Sequence, residues 1–427
     1  MAAASPALKR ELGLRDAALF AMAVVTSARW INIAAQFGPG SLAIWLITLL
    51  VFMIPLVTAV AALVDKHPDG GGLYKWACTD FGQWHGFLSF WTYWIAIAIW
   101  FPGTSVFYMG NGLHIFGSSI GELGANRLFL LAISVASVWV ALGTNLKGIN
   151  IGKWVENCGG IATWMLSLLL MGMGAFVWAR RGSATPMRFV VHLDWNTVPL
   201  WSQMAFAMSG IEVVGFMAGE IREPRRTVRL AGWIASAFAV LFYSCSTLAV
   251  LLVLPPARIT EMNGLVDTGY AAGAVLQTGW LTPVIASLIL ISGIGLMGGV
   301  GTATAHLPLA AGVDHLLPEV FGRIHPRWRT PYYSIAILGA VGTFLLCLYQ
   351  LGDTMRAAYQ ELVSLTVIIG FIPYLYIFAS AWRAGKRVSG VSGLVSTLIV
   401  IVFSFIPTTE IRNVWLFEAK ILGARSR

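Results

Sequence analysis

Phe206 to Ala218 reads FAMSGIEVVGFMA, and this stretch decides the fold. It is apolar on both sides of one acid, Glu212, which follows the pair Ser209–Gly210 closely. A carboxylate at bilayer depth is costly, so it is usually paired, protonated or turned toward a polar path. A glycine beside it lets a membrane helix stop and restart. Arg222, Arg225, Arg226 and Arg229 follow almost at once, as expected where a helix leaves the membrane on its cytoplasmic side. The stretch predicts a membrane helix interrupted halfway, with an acid at the interruption.

The rest of the chain supports a membrane setting. Of its 427 residues, 57% are hydrophobic and 11% charged, whereas soluble domains carry roughly a quarter charged. Apolar runs recur from Leu12 to Pro407, many as long as the ~20 residues a spanning helix needs. About eleven spans are predicted: Leu14–Phe37, Ser41–Val64, Trp84–Phe116, Leu128–Leu146, Trp154–Trp178, Val198–Ala218, Leu230–Leu254, Leu281–Leu309, Tyr333–Tyr349, Leu362–Ala381 and Val391–Ile406. The expected class is an all-α polytopic membrane protein forming one domain, 1–427. Within it, 1–381 would be a ten-helix core, and 382–427 an eleventh helix with a polar tail.

A net charge of +9 raises the question of nucleic acid, but the basic residues sit in short loops between apolar runs. With the N-terminus inside, 17 of the 28 lysines and arginines fall in inner loops and six in outer ones. That bias predicts a cytoplasmic N-terminus, a lipid bilayer as the partner and no nucleic acid. The cell membrane is the expected location. No cleavable leader is evident, and the first apolar run is long enough for a signal anchor. Cys78, Cys158, Cys245 and Cys347 show no CxxC spacing, and the seven histidines no metal-ligand spacing; no metal and no cofactor are expected. Gly293–Gly298 spells GxGxxG without a preceding strand, and Gly117–Gly121 spells GxSxG without a strand-to-helix elbow. Neither supports dinucleotide binding or hydrolysis, and no enzyme activity is expected.

A second interruption is read in the first span, at Thr26-Ser27-Ala28-Arg29. The two interruptions lie five spans apart, the separation expected of five helices repeated in inverted orientation. Broken helices with a charged group at the break are how many transporters build a binding site at the bilayer midplane.

Other stretches carry a family likeness. Lys66–Phe87, KHPDGGGLYKWACTDFGQWHGF, holds Pro68, Gly70 to Gly72 and Tyr74, with Trp91-Thr92-Tyr93-Trp94 after it. This resembles the Pro-x-Gly-Gly-x-Tyr loop and aromatic-rich helix start of the amino acid–polyamine–organocation permeases. Phe206 to Glu212 resembles that family's Phe-x-x-x-Gly-x-Glu, GEIREPRRTVR its next basic loop, and Leu316–Pro331 (LLPEVFGRIHPRWRTP) its link between helices 8 and 9. A likeness to the glutamate/GABA-antiporter-like branch is weaker. The resemblance implies a leucine-transporter-like five-plus-five core, usually within about twelve helices. It also implies a secondary transporter or exchanger of amino acids working by alternating access. A polyamine or organic-cation exchanger, or a membrane sensor on the same scaffold, are the alternatives.

The family's Gly-Ser-Gly at the first break corresponds here to Ser27, Ala28 and Arg29, so the usual bare-amide carboxylate pocket is altered. Thr26, Ser27, Ala28, Arg29, Trp30, Phe206, Ser209, Gly210 and Ile211 are the expected substrate-binding residues, with Glu212 a gating or proton-linked acid. Arg29 could grip a substrate carboxylate or pair with Glu212. Half-helix N-termini favour anions and unwound carbonyls favour cations, a polarity that suits a zwitterion. Ser292, Thr302 and Thr304 could serve a sodium ion, although hydroxyls in membrane helices commonly bond to their own backbone.

Overall fold

A computed structural model describes residues 10, 12–68, 70–146, 149–190, 198–313, 317–328, 330–349 and 355–406, and they are mostly helical. The first span is two helices, α1 (Leu14–Val25) and α2 (Arg29–Gln36), bent by 45° at the break. The second joins α3 (Gly40–Thr48) to α4 (Ile54–Lys66) through a π turn at Leu49–Met53. That turn comes just ahead of Pro55, which has no N–H to continue the ladder.

The segment 66–87, expected as a loop, contains a helix, α5 (Gly72–Phe81). No breaker lies between Gly72 and Gly82, and Leu73, Tyr74, Trp76 and Ala77 form one buried face, so the segment gains more by packing than by staying irregular. The third span is α6 (Gln83–Gly112), followed by a short α7 (Ser118–Gly121). Next come α8 (Arg127–Leu146) and α9 (Ile149–Arg181). The sixth span is split into α10 (Val198–Ala207) and α11 (Glu212–Phe216). After it run α12 (Pro224–Val253), the outlying α13 (Gly264–Leu276), α14 (Leu281–Val313), α15 (Tyr332–Tyr349), α16 (Met355–Arg383) and α17 (Arg387–Ser404).

Among the described residues, seven helices are long and apolar enough to cross a membrane, or eight with the bent α1–α2 pair as one span. The other three predicted spans are helical but fall outside that test. Trp, Tyr, Ser and Gly dilute α6, α10 and α11 are short pieces, and α15 is just under length.

Small residues let the central helices close up. In α9 and α14, Gly159 and Gly295 face each other, and a Cβ on either would come within 2.7 Å of the other's Cα. Such contacts replace the hydrophobic drive that lipid removes. Around the outside, Leu50, Leu168, Phe176, Leu241 and Val402 are exposed, an apolar surface suited to acyl chains. At the N-terminal end, Leu12 pairs with Ile221 in a parallel bridge. Its amide donates to the Glu220 carbonyl at 3.0 Å, and its carbonyl accepts from the Arg222 amide at 2.8 Å. The start of the first span is thereby tied to the exit of the sixth.

Candidate functional site

Both interruptions meet at one side chain that the sequence did not single out. Tyr243, buried on α12, accepts the Ser27 amide at 3.0 Å. Its hydroxyl lies 3.1 Å from the Val25 carbonyl and 3.2 Å from the Ala207 carbonyl. One phenol thus addresses backbone groups freed by both breaks, a need that interrupted helices always create. Tyr108 on α6 adds a second contact, 3.0 Å from the Ser27 hydroxyl. Thr26 turns back onto its own helix, donating to the Met22 carbonyl at 2.7 Å.

At the second break Gly210 adopts φ +111°, a region only glycine enters cheaply, and a Cβ there would lie 3.2 Å from the Val24 side chain. The Ser209 hydroxyl donates to the Phe206 carbonyl at 2.7 Å. Glu212 is fully buried. Its Oε1 accepts the hydroxyls of Tyr93 at 2.9 Å and Tyr374 at 2.7 Å, and its Oε2 accepts the Gly210 amide at 3.0 Å. The acid therefore caps its own break while gathering two phenols from α6 and α16.

A cavity of about 50 Å³ lies against these groups. Of the expected residues, Ser27, Trp30, Phe206, Ser209, Gly210 and Glu212 line it, together with Tyr93, Trp100, Tyr243 and Tyr374. Thr26, Ala28, Arg29 and Ile211 are buried but are not among its lining residues. Arg29 stacks its guanidinium 4.2 Å from the Trp30 ring centroid and places Nη1 3.5 Å from the Thr104 hydroxyl. Trp30 in turn meets Phe206 edge-on at 5.9 Å. Among the described residues, the lining holds one carboxylate, six aromatic side chains and no Lys, Arg or His. A space this size holds only about three or four waters, so any organic solute requires the walls to part.

The four tyrosines were missed because each comes from a distant part of the chain and looks like an ordinary aromatic of a membrane helix. In α14 the Ser292 hydroxyl donates to the Ile289 carbonyl at 2.8 Å and Thr302 to the Gly298 carbonyl at 2.9 Å. Those two hydroxyls are engaged with their own helix.

Comparison with known proteins agrees with this architecture. The family model described as "Amino acid permease" matches residues 12–417. An uncharacterized transporter of Legionella pneumophila is 25% identical, covering 97% of this chain and 94% of its own. A probable agmatine/putrescine antiporter of Lactococcus lactis is 22% identical over 94% of this chain and 88% of its own. A polyamine transporter of Oryza sativa is 24% identical over 78% of this chain and 60% of its own. Among solved structures, that of MhsT in complex with L-phenylalanine superposes with a TM-score of 0.63 at 14% identity, covering 91% of this chain and 97% of that one. The fold is therefore shared with MhsT, and the chain belongs to the amino acid permease family.

Proposed function

We propose that the chain is a secondary exchanger of small organic amines, binding them between the broken first and sixth spans and working by alternating access. The observation that carries this reading is the composition of the cavity: Glu212 as its carboxylate, surrounded by Trp30, Trp100, Tyr93, Tyr243, Tyr374 and Phe206. Aromatic faces and a desolvated carboxylate both attract ammonium and guanidinium groups. Arg29 is stacked on Trp30 outside the lining, so the ring stands between its guanidinium and a cation there. The relatives named as agmatine/putrescine antiporter and polyamine transporter support the same substrate class.

A zwitterionic amino acid is the second reading, favoured by the family description. It needs a receptor for its carboxylate, and the Ser27 amide that would provide one already donates to Tyr243. The charge bias of the loops supports a cytoplasmic N-terminus, and we place the chain in the cell membrane.

Counterflow in proteoliposomes tests the reading. Vesicles loaded with putrescine, agmatine, arginine, leucine or glutamate are assayed for uptake of the same labelled solute. Saturable exchange of the amines above that of leucine and glutamate is expected. Exchange confined to neutral or acidic amino acids would favour the second reading instead.

A further inference from the structure

A second cavity, of about 40 Å³, lies at the N-terminal end of the bundle, the inner end in the orientation proposed above. We propose that it is a proton-binding site, centred on His306 and Glu220, whose occupancy couples proton movement to the opening of the sixth span. This rests on the transport reading for its consequence, but its chemistry is separate from the amine site.

The cavity collects titratable groups from α1, α9, the exit of α11 and α14, while α8 and α15 line it with Asn145 and Ile335. Asp16 comes from α1, Lys153 and Glu156 from α9, Glu220 from the exit of α11, and His306 from α14. Lys153 and Asp16 neutralise each other at 2.7 Å. Glu156 lies 3.4 Å from the Thr302 hydroxyl. Formally, Glu156 and Glu220 leave two negative charges in the cavity, and one added proton halves them.

The ring contacts of His306 identify where that proton sits. Nδ1 is 2.8 Å from the Thr302 carbonyl and Nε2 is 3.1 Å from Glu220 Oε1. A carbonyl only accepts, so Nδ1 must carry hydrogen. A neutral ring then has a bare Nε2, facing a carboxylate oxygen that is also bare. The contact holds only if one further proton lies between them, as imidazolium with carboxylate or as imidazole with carboxylic acid. Both descriptions contain the same number of protons. Glu220 is 2% exposed, and among the described residues its Oε2 has no hydrogen-bond partner, which leaves an acceptor on a residue that lines the same cavity. Removing the proton leaves one ring hydrogen for two facing acceptors, so one of the two contacts must break; with the hydrogen kept on Nδ1, Glu220 is the group released.

That release has a route to the amine cavity. Val213 of α11 lines the amine cavity, while Val214 of α11 and Met217 just after it line this one. The five residues of α11 thus form a shared wall with Glu212 at one end, and Glu220 follows shortly after the other. Undocking Glu220 from α14 frees that wall and strains the bridge between Leu12 and Ile221.

The test uses the full chain in proteoliposomes, with a lumenal pH dye reporting proton movement during amine uptake and counterflow reporting exchange. Wild type should move protons with amine. Glu220→Gln and His306→Gln should lose proton movement by about tenfold or more while counterflow stays within about threefold, a coupling loss in the usual allosteric range. Variants with wild-type proton movement overturn the proposal, as does a wild type that moves no protons. A sodium gradient that replaces the proton gradient also overturns it, in favour of a metal cation.

If wild type shows no counterflow, the transport reading fails; if the variants alone lack it, they are uninformative about coupling. In either case Asn157→Cys, which lines the cavity, is alkylated across a pH series and compared with its parent chain. Thiolate formation alone raises labelling with pH, so a rise several-fold steeper than that of the same substitution made in Glu220→Gln supports the proton site; the same rise in both overturns it.

Discussion

Three donors hold Glu212, and each is worth testing alone. Hydrogen bonds to a charged group contribute about 1.5–3 kcal/mol, or roughly 10–100-fold in an equilibrium. Glu212→Gln removes the charge an ammonium would meet, and amine counterflow should fall by about 100-fold on that scale. Tyr374→Phe deletes one donor and keeps the ring, so a loss nearer tenfold is expected. Arg29 offers the opposite outcome. Its guanidinium plane stacks on Trp30, a fit that an ammonium does not reproduce. Arg29→Lys should lower the melting temperature while amine affinity changes by less than about threefold; a larger affinity loss would return Arg29 to the binding site. The sequence made Ser209, Gly210 and Glu212 legible because an acid and a glycine stand out in an apolar run. It could not reveal Tyr93, Tyr108, Tyr243 or Tyr374, whose roles depend on helices meeting across the chain, nor that Arg29 would be covered by its own neighbour.

The two broken spans are where helical continuity is given up to expose backbone groups. Gly210→Ala would force a side chain into φ +111° against Val24, costing about 1–3 kcal/mol in backbone strain. Counterflow should be lost and the melting temperature lowered, whereas unchanged exchange would mean the break can re-form without glycine. The first and sixth breaks were readable as interruptions. The helix α5 was not, since glycines at both its ends disguise a short buried face as a loop, and α13 left no comparably clear periodic signal.

Outside the spans, α13 carries a pH-dependent contribution. Burial raises the Asp267 carboxyl from 3.8 to about 6. The folded chain then holds that proton more tightly than the unfolded chain. The contribution is therefore fully present below about pH 4 and is lost as pH rises through about 6. Asp267→Asn should raise stability at pH 7.5 by on the order of 1 kcal/mol after solvent screening, and leave it little changed at pH 4. Thermal melts of both proteins at the two pH values check the sign.

Taken as a membrane protein, the chain shows how much spacing alone can convey. The separation of Ser27 from Ser209 by five spans pointed to an inverted repeat, and the fold shared with MhsT agrees. Spacing could not convey how tightly the cavity is closed, because about 50 Å³ is set by how Trp30, Phe206 and the tyrosines pack. Trp30 and Trp100 in its walls make the binding step observable. Quenching of tryptophan fluorescence in the purified full chain, titrated with putrescine, agmatine, leucine and glutamate, is the most direct measurement. Saturable quenching by the two amines, weakened by about 100-fold in Glu212→Gln and absent with glutamate, is expected. Equal amine binding by the variant, or binding of leucine and glutamate with none of the amines, would show that Glu212 and its aromatic surround do not recognise a cation.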